Sequence, residues 1–97
     1  DGEDFCVFYG KVKLKVVEKE KNSDDPKNTY KYYLLQIYTQ NKKGEWKFRT
    51  SLYRGNMQDL VNEEVLYNIV MIGHLDFQYK PFTIKLANKN AIKYREV

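Results

Sequence analysis

Basic and apolar residues alternate strictly in the first extended segment of this chain. Val12, Leu14 and Val16 are separated by lysines in the stretch GKVKLKVVEKE. Residues two apart on a β-strand project to the same side, so this pattern predicts a strand with one apolar face and one basic face. We place the strand over residues 5–21, and it is too long and too regular to favour a helical fold.

The same two-residue period recurs in the next two segments. Over residues 30–40, Tyr33, Leu35 and Ile37 fall on one side, and the following residues 41–44 form a hairpin connection that contains glycine. The third segment begins at Trp46 and ends at Gly55. Its parity predicts Trp46, Phe48, Thr50 and Leu52 on the core side, and Lys47, Arg49, Ser51 and Tyr53 on the solvent side.

The pattern changes after the third strand. Apolar residues at helical spacing, with Asn56 as a capping residue, predict a short helix over residues 57–65. In residues 66–80, apolar residues occur at both odd and even positions, so neither side of a strand would be clearly polar. This favours a buried fourth strand or one bent at Gly73. Residues 81–86 read as a fifth strand, and residues 91–97 are expected to continue extended. The predicted fold class is mainly β, with five strands and one short helix between strands 3 and 4.

Length and composition limit the possible classes of protein. Ninety-seven residues form one domain, 1–97, in which the acidic residues 1–4 are expected to be disordered. With one cysteine and one histidine, the chain has neither an intrachain disulfide nor a zinc ligand set. No apolar run approaches the ~20 residues that cross a bilayer, and no signal peptide is visible. We expect an intracellular protein, with the nucleus as one option, and a piece of a longer chain because it does not begin with methionine.

Catalysis has little support in the sequence. His74 and Asp76 share a strand parity but lack a nucleophile, and the five glycines are too scattered to form a phosphate-binding loop. We therefore predict a non-enzymatic protein with no catalytic residues, no metal site and no cofactor.

The candidate site is a basic, aromatic sheet face. Nine of the residues are tyrosines, and the isoelectric point of about 9.1 favours an anionic partner. The alternative is an ordinary solvated face, because strands favour tyrosine and lysines protect exposed edges. Trp46, at a strand end, either provides a surface on which a base stacks or closes the end of the core. The candidate residues are Tyr32, Gln36, Tyr38, Trp46, Lys47, Arg49, Tyr53, Arg54, Lys11, Lys13 and Lys15.

The order of these segments resembles a known family. GKVKLKVVEKE, YKYYLLQIYT, WKFRTSLYRG, NMQDLVNEEV, VLYNIVMIG and PFTIKLANKNAI are similar to the successive elements of an OB-fold, the five-stranded Greek-key barrel found in single-strand DNA-binding and telomere-end-binding proteins. The resemblance implies that strands 2 and 3 form an oligonucleotide platform, on which bases stack and basic residues follow phosphates. It implies single-stranded nucleic acid as the partner, with DNA favoured over RNA. No membrane partner is expected.

The sequence is also consistent with two alternatives. The chain could be an OB-type protein–protein interaction subunit or scaffold of a larger telomere- or replication-like complex. That class of protein should expose a contiguous apolar surface from Met57, Leu60, Val65 and the strand YNIVMIG. A different small sheet with one helix could also bind single strands, which would change the fold but not the chemistry.

Overall fold

The computed structural model describes residues 5–22, 27, 29–78 and 80–97. The mainly β prediction is confirmed. Residues 1–4, for which disorder is expected, lie outside the described residues. Most of the loop after the first strand also lies outside them. The strands are β1 (Cys6–Asn22), β2 (Thr29–Gln40), β3 (Trp46–Gly55), β4 (Tyr67–Asp76), β5 (Thr83–Leu86) and β6 (Ile92–Glu96).

The long first strand allows the sheet to curl into a ring. Its second half pairs antiparallel with β2, and its first half pairs antiparallel with β4. β3 pairs with β2, and meets β5 through one parallel bridge between Ser51 and Thr83. β5 then pairs with β4, which returns the sheet to β1. β6 lies beside β5 on the same edge of β4 and was not predicted as a separate strand.

The core occupies the inside of this ring. Leu14 lies opposite Ile37, and Leu35 lies opposite Leu52, so the inward parity of neighbouring strands coincides. Burying such side chains provides the main favourable free energy of folding, about 1.5–3 kcal/mol for each large aliphatic residue. The buried apolar residues are Val12, Leu14, Leu35, Ile37, Leu52, Tyr67, Ile69, Met71 and Ile84.

The predicted helix over residues 57–65 is wrong, because none of these residues is helical. Local side chains take over the backbone groups that a helix would use. The side chain of Asn62 accepts a hydrogen bond from the backbone N–H of Glu64 at 3.0 Å, and the N–H of Asn62 donates to the Tyr67 hydroxyl at 2.8 Å. Asp59 is turned inward, while Leu60, expected on the apolar stripe, is 87% exposed.

Of the two options for residues 66–80, that of a buried fourth strand is also wrong. β4 alternates, with Tyr67, Ile69 and Met71 inside the ring, and Val70 and Ile72 outside. Because the outward residues are themselves apolar, the alternation was not visible in the sequence. The described part of the chain contains no helix able to span a membrane.

At Gly73 the backbone of β5 leaves no room for a side chain on β4. A Cβ atom built there would overlap the carbonyl oxygen of Lys85 and lie 3.1 Å from the Cα of Leu86. We expect Gly73→Ala to lower the free energy of unfolding by about 1–3 kcal/mol, because the backbone of β5 must move. At Gly10 a Cβ would meet no atom within 4 Å, so Gly10→Ala should change stability by less than about 0.5 kcal/mol. Urea unfolding of the two variants measures these changes in stability. Equal midpoints for Gly73→Ala and Gly10→Ala would contradict the steric overlap expected at Gly73.

Candidate nucleic-acid interface

Three rows of cross-strand neighbours form one face of the sheet. Residues directly opposite each other in a ladder project to the same side, so each row runs across β1, β2 and β3. We call this surface, on the side of these strands away from the core, the outer face. Its rows are Lys13–Tyr38–Phe48, Lys15–Gln36–Ser51 and Val17–Leu34–Tyr53.

A β-bulge determines which residues of β3 reach the outer face. Ile37 lies opposite Thr50 but Tyr38 lies opposite Phe48, so Arg49 is an extra residue without a partner in β2. One extra residue reverses the alternation beyond it. Phe48 therefore projects to the outer face, where it is 38% exposed, and the prediction that it faces the core is wrong.

Two pairs of aromatic rings lie on the outer face. The ring centroids of Tyr38 and Phe48 are 5.6 Å apart, and those of Tyr32 and Tyr53 are 5.7 Å apart. The Tyr38 hydroxyl donates to Oε1 of Gln36 at 3.0 Å, which fixes the tyrosine ring from the middle row. Tyr32 and Tyr38 are six residues apart on β2, so the two pairs are separated by roughly 20 Å along the strand.

Trp46 lies on the outer side rather than at the core. The ammonium nitrogen of Lys13 lies 4.8 Å from the centroid of its ring, which is a cation–π contact. The tryptophan is half-buried and lies opposite Gln40 in the ladder. Lys13 and Trp46 thus extend the Tyr38 row towards the β2–β3 hairpin.

Strand alternation separates the charges of β1. In the sequence the lysines are interrupted by Glu18 and Glu20, but these glutamates lie opposite Tyr33 and Lys31, on the reverse side from the lysines. The Tyr33 hydroxyl donates to Glu18 at 3.4 Å, and Lys31 is 3.5 Å from the same carboxylate. Within the described ranges, none of the lysines on the other side has a carboxylate within 4 Å. That row comprises Lys11, Lys13, Lys15, Lys19 and Lys21.

Two predicted basic residues of β3 lie away from the outer face. Lys47 is opposite Thr39, on the reverse side, and is 4.0 Å from Glu45. Arg49 donates from Nε to the hydroxyl of that same Thr39 at 2.7 Å, so the bulge turns it to the reverse side as well. Both residues are exposed, but they do not share the surface of the aromatic rings.

Arg54 is a third correction, because it is buried. Its Nε donates to Oδ2 of Asp59 at 2.9 Å and its Nη2 to Oδ1 at 3.3 Å, with both side chains less than 10% exposed. The Tyr94 hydroxyl donates to Oδ1 of the same carboxylate at 3.2 Å, and Nη1 of Arg54 donates to the Lys89 carbonyl at 3.3 Å. The network joins the segment after β3 to β6, so Arg54 holds the fold together instead of facing a ligand.

Tyr94 makes this network sensitive to high pH. Burial, followed by the Asp59 charge and the hydrogen bond to it, raises the pKa of Tyr94 from 10.0 to about 12, against the opposing effect of Arg54. Between these values the unfolded chain loses the phenolic proton while the folded chain keeps it, so stability is expected to fall as the pH rises from 10 to 12. Urea unfolding below pH 10 and between 10 and 12 measures this slope, and Tyr94→Phe should make it shallower. An unchanged slope in that variant would contradict the assignment.

The outer face therefore joins most, but not all, of the predicted site. Tyr32, Gln36, Tyr38, Trp46, Tyr53, Lys13 and Lys15 lie together on it, and Lys11 follows on β1 opposite Asn68 of β4. Sequence reasoning missed Phe48, and no residue type near it marks the bulge. Among the residues described, no cluster of His, Cys, Asp and Glu could hold a metal ion.

Comparison of the chain with protein-family models, with curated proteins and with solved structures found no match. We therefore infer the function of this chain from its own geometry.

Proposed function

We propose that this chain is a non-enzymatic, OB-like domain that binds single-stranded nucleic acid through the outer face. The observation that carries the proposal is the placement of two aromatic pairs beside a row of lysines that has no neighbouring carboxylate among the described residues. Stacking on such rings contributes about 1–3 kcal/mol per base, and lysines neutralise phosphates. DNA is favoured over RNA as in the OB-folds that the sequence resembles.

The strand order supports the OB-like assignment. A five-stranded ring in which β1 pairs with both β2 and β4 has the connectivity of a small Greek-key barrel. In OB-folds the faces of strands 2 and 3 bind oligonucleotides, and here those strands carry the aromatic pairs. The chain departs from that pattern in lacking the helix after β3.

The rings and the lysines have complementary roles in this mechanism. Tyr53 is exposed, and Tyr32 leans against it, so a base can stack on the open side of the pair. Tyr38 and Phe48 offer a second platform at the other end of the face. Lys15 lies on β1 between the two platforms, where it can neutralise the connecting phosphate. Stacking accepts any base, so sequence preference should be modest.

Salt dependence tests the role of the lysine row. Removing one phosphate contact should make the slope of log affinity against log salt concentration shallower by about 0.7 on single strands. We expect this change for Lys15→Ala. Lys47→Ala is the matched control, because it removes the same charge from the exposed reverse side of the sheet. Equal changes in both variants would show that binding is a general charge effect and not a property of the outer face.

The scaffold function remains a second candidate, favoured by one observation. Val70 and Ile72 are 49% and 42% exposed, and they adjoin Tyr9 and Val7 of β1, which are also exposed. This strip lies on the far part of the ring from the aromatic pairs, and contiguous apolar surface often marks a protein interface. The scaffold candidate predicts no single-strand binding even at low salt, whereas the first candidate requires it.

A further inference from the structure

β6 is an edge strand with open backbone groups. It is paired with β4 alone among the strands of the sheet. The N–H of Ile72 donates to the carbonyl of Ala91 at 2.9 Å, and the N–H of Val97 donates to the carbonyl of Leu66 at 3.0 Å. In an antiparallel ladder, hydrogen-bonded pairs alternate with non-hydrogen-bonded pairs. Between these two bonds, successive residues of β6 therefore direct their N–H and C=O groups alternately towards β4 and away from it.

The alternation gives β6 three outward-directed residues. Lys93 and Arg95 bond to β4, whereas the N–H and C=O groups of Ile92, Tyr94 and Glu96 point away from it. No residue that the structure describes hydrogen-bonds to these outward backbone groups. Such a row of donors and acceptors is a template for one more strand.

Space for that strand lies beside β6. An open groove of about 770 Å³ includes Ile92, Tyr94 and Met57 in its lining. A second groove of about 320 Å³, between β3 and β5, adjoins it by sharing Met57 and Lys89. The sheet closes between β3 and β5 through a single bridge, so this side of the ring leaves room for an added chain.

The charge of the groove indicates its occupant. Lys89, Lys93 and Arg95 are exposed lining residues, and no described carboxylate lies within 4 Å of their charged groups. Asp59, the acid in the lining, is already bound to Arg54. An extended peptide with acidic side chains opposite Lys93 and Arg95 would satisfy both the charges and the backbone.

We propose that β6 binds an acidic, extended peptide of another protein, which adds as a strand to this edge. Its alternate side chains lie over Met57, Ile92 and Tyr94 and are therefore apolar. A nucleic acid fits less well, because phosphates accept hydrogen bonds and offer no donors to the outward carbonyls of β6. A second copy of this chain would bring Lys93 and Arg95 against their own counterparts. The proposal uses a different surface from the outer face and does not depend on the proposed function.

The first test uses a fluorescein-labelled peptide of alternating glutamate and valine, about seven residues long, so that it spans the edge with one residue beyond each end. We expect its anisotropy to rise with added protein at low salt. The matching lysine–valine peptide should bind at least about tenfold more weakly, because like charges then face each other. Equal binding of the two peptides would overturn the assignment of an acidic partner.

Backbone methylation separates strand addition from simple charge attraction. In a variant of the glutamate–valine peptide, the alternate amides whose N–H groups would face β6 are N-methylated. This variant keeps its charge but loses its hydrogen-bond donors to β6. We expect it to bind about tenfold or more weakly. Equal affinity for the methylated and parent peptides would refute strand addition, and this comparison needs no protein variant.

Two protein variants complete the test. Glu96→Pro removes an outward N–H but no bond to β4, so it should weaken peptide binding about tenfold without lowering the unfolding midpoint. Reversing both charges, Lys93→Glu with Arg95→Glu, should transfer the preference to the lysine–valine peptide. Displacement of the peptide by a single-stranded oligonucleotide, or a dimer of the free chain that Glu96→Pro abolishes, would overturn the proposal in favour of those occupants.

Discussion

Replacing Asp59 with alanine is expected to lower the free energy of unfolding by about 3–5 kcal/mol, because it leaves a buried guanidinium without its counter-ion. The Arg54 side chain is 6% exposed, so water cannot take over the role of the carboxylate. Asp59 also accepts the hydrogen bond from Tyr94, which loses its partner in the same variant. Equilibrium unfolding in urea, followed by tryptophan fluorescence of Trp46, measures the loss.

Two variants control for this effect. Glu63→Ala removes an exposed carboxylate from the same segment and should change stability by less than about 0.5 kcal/mol. Arg54→Met combined with Asp59→Leu removes both charges together and should recover much of the stability, since neither partner is left unpaired. A loss below about 1 kcal/mol for Asp59→Ala would mean that the ion pair does not hold this segment.

Removing Tyr38 and Phe48 together is expected to weaken single-strand binding about hundredfold. The two rings, 5.6 Å between centroids, would form one stacking platform in the proposed mechanism, where each stacked base contributes about 1–3 kcal/mol. The loss should appear mainly as an affinity change with little effect on the salt slope, because no charge is removed. Anisotropy titration of a labelled strand with Tyr38→Ala/Phe48→Ala measures it.

Tyr9→Ala is the matched control for this prediction. Tyr9 is 81% exposed, but it lies opposite Val70 on the far part of the ring. Its removal should leave the affinity within about twofold of the unchanged chain, because a single exposed ring away from the strand makes no stacking contact. If Tyr9→Ala costs as much affinity as the double variant, the outer face is not the binding surface.

The sequence predicts the fold correctly where one side of a strand is exposed to solvent. In β1 and β2 the apolar positions, such as Leu14 and Leu35, alternate with polar ones, so the core side follows from the period. In β4 the outward positions hold Val70 and Ile72, and the alternation disappears from the sequence although it is present in the structure.

The features that escaped prediction depend on contacts between distant residues. The bulge at Arg49 becomes apparent only when β3 is aligned with β2, and it moves Phe48 to the outer face and Lys47 away from it. The helical spacing after Gly55 is overridden because Asp59 turns inward to Arg54. Tyr94, which completes that network, lies 35 residues further along the chain.

Binding of single strands by the outer face is tested most directly by titration. Labelled single strands of DNA and of RNA, each long enough to span both aromatic platforms, would be titrated with the unchanged chain at low and at physiological salt. Micromolar or tighter binding that weakens as salt is added is the predicted result. The absence of binding to either strand at low salt would contradict this prediction and favour the scaffold candidate, with the exposed strip of Val70 and Ile72 as its surface.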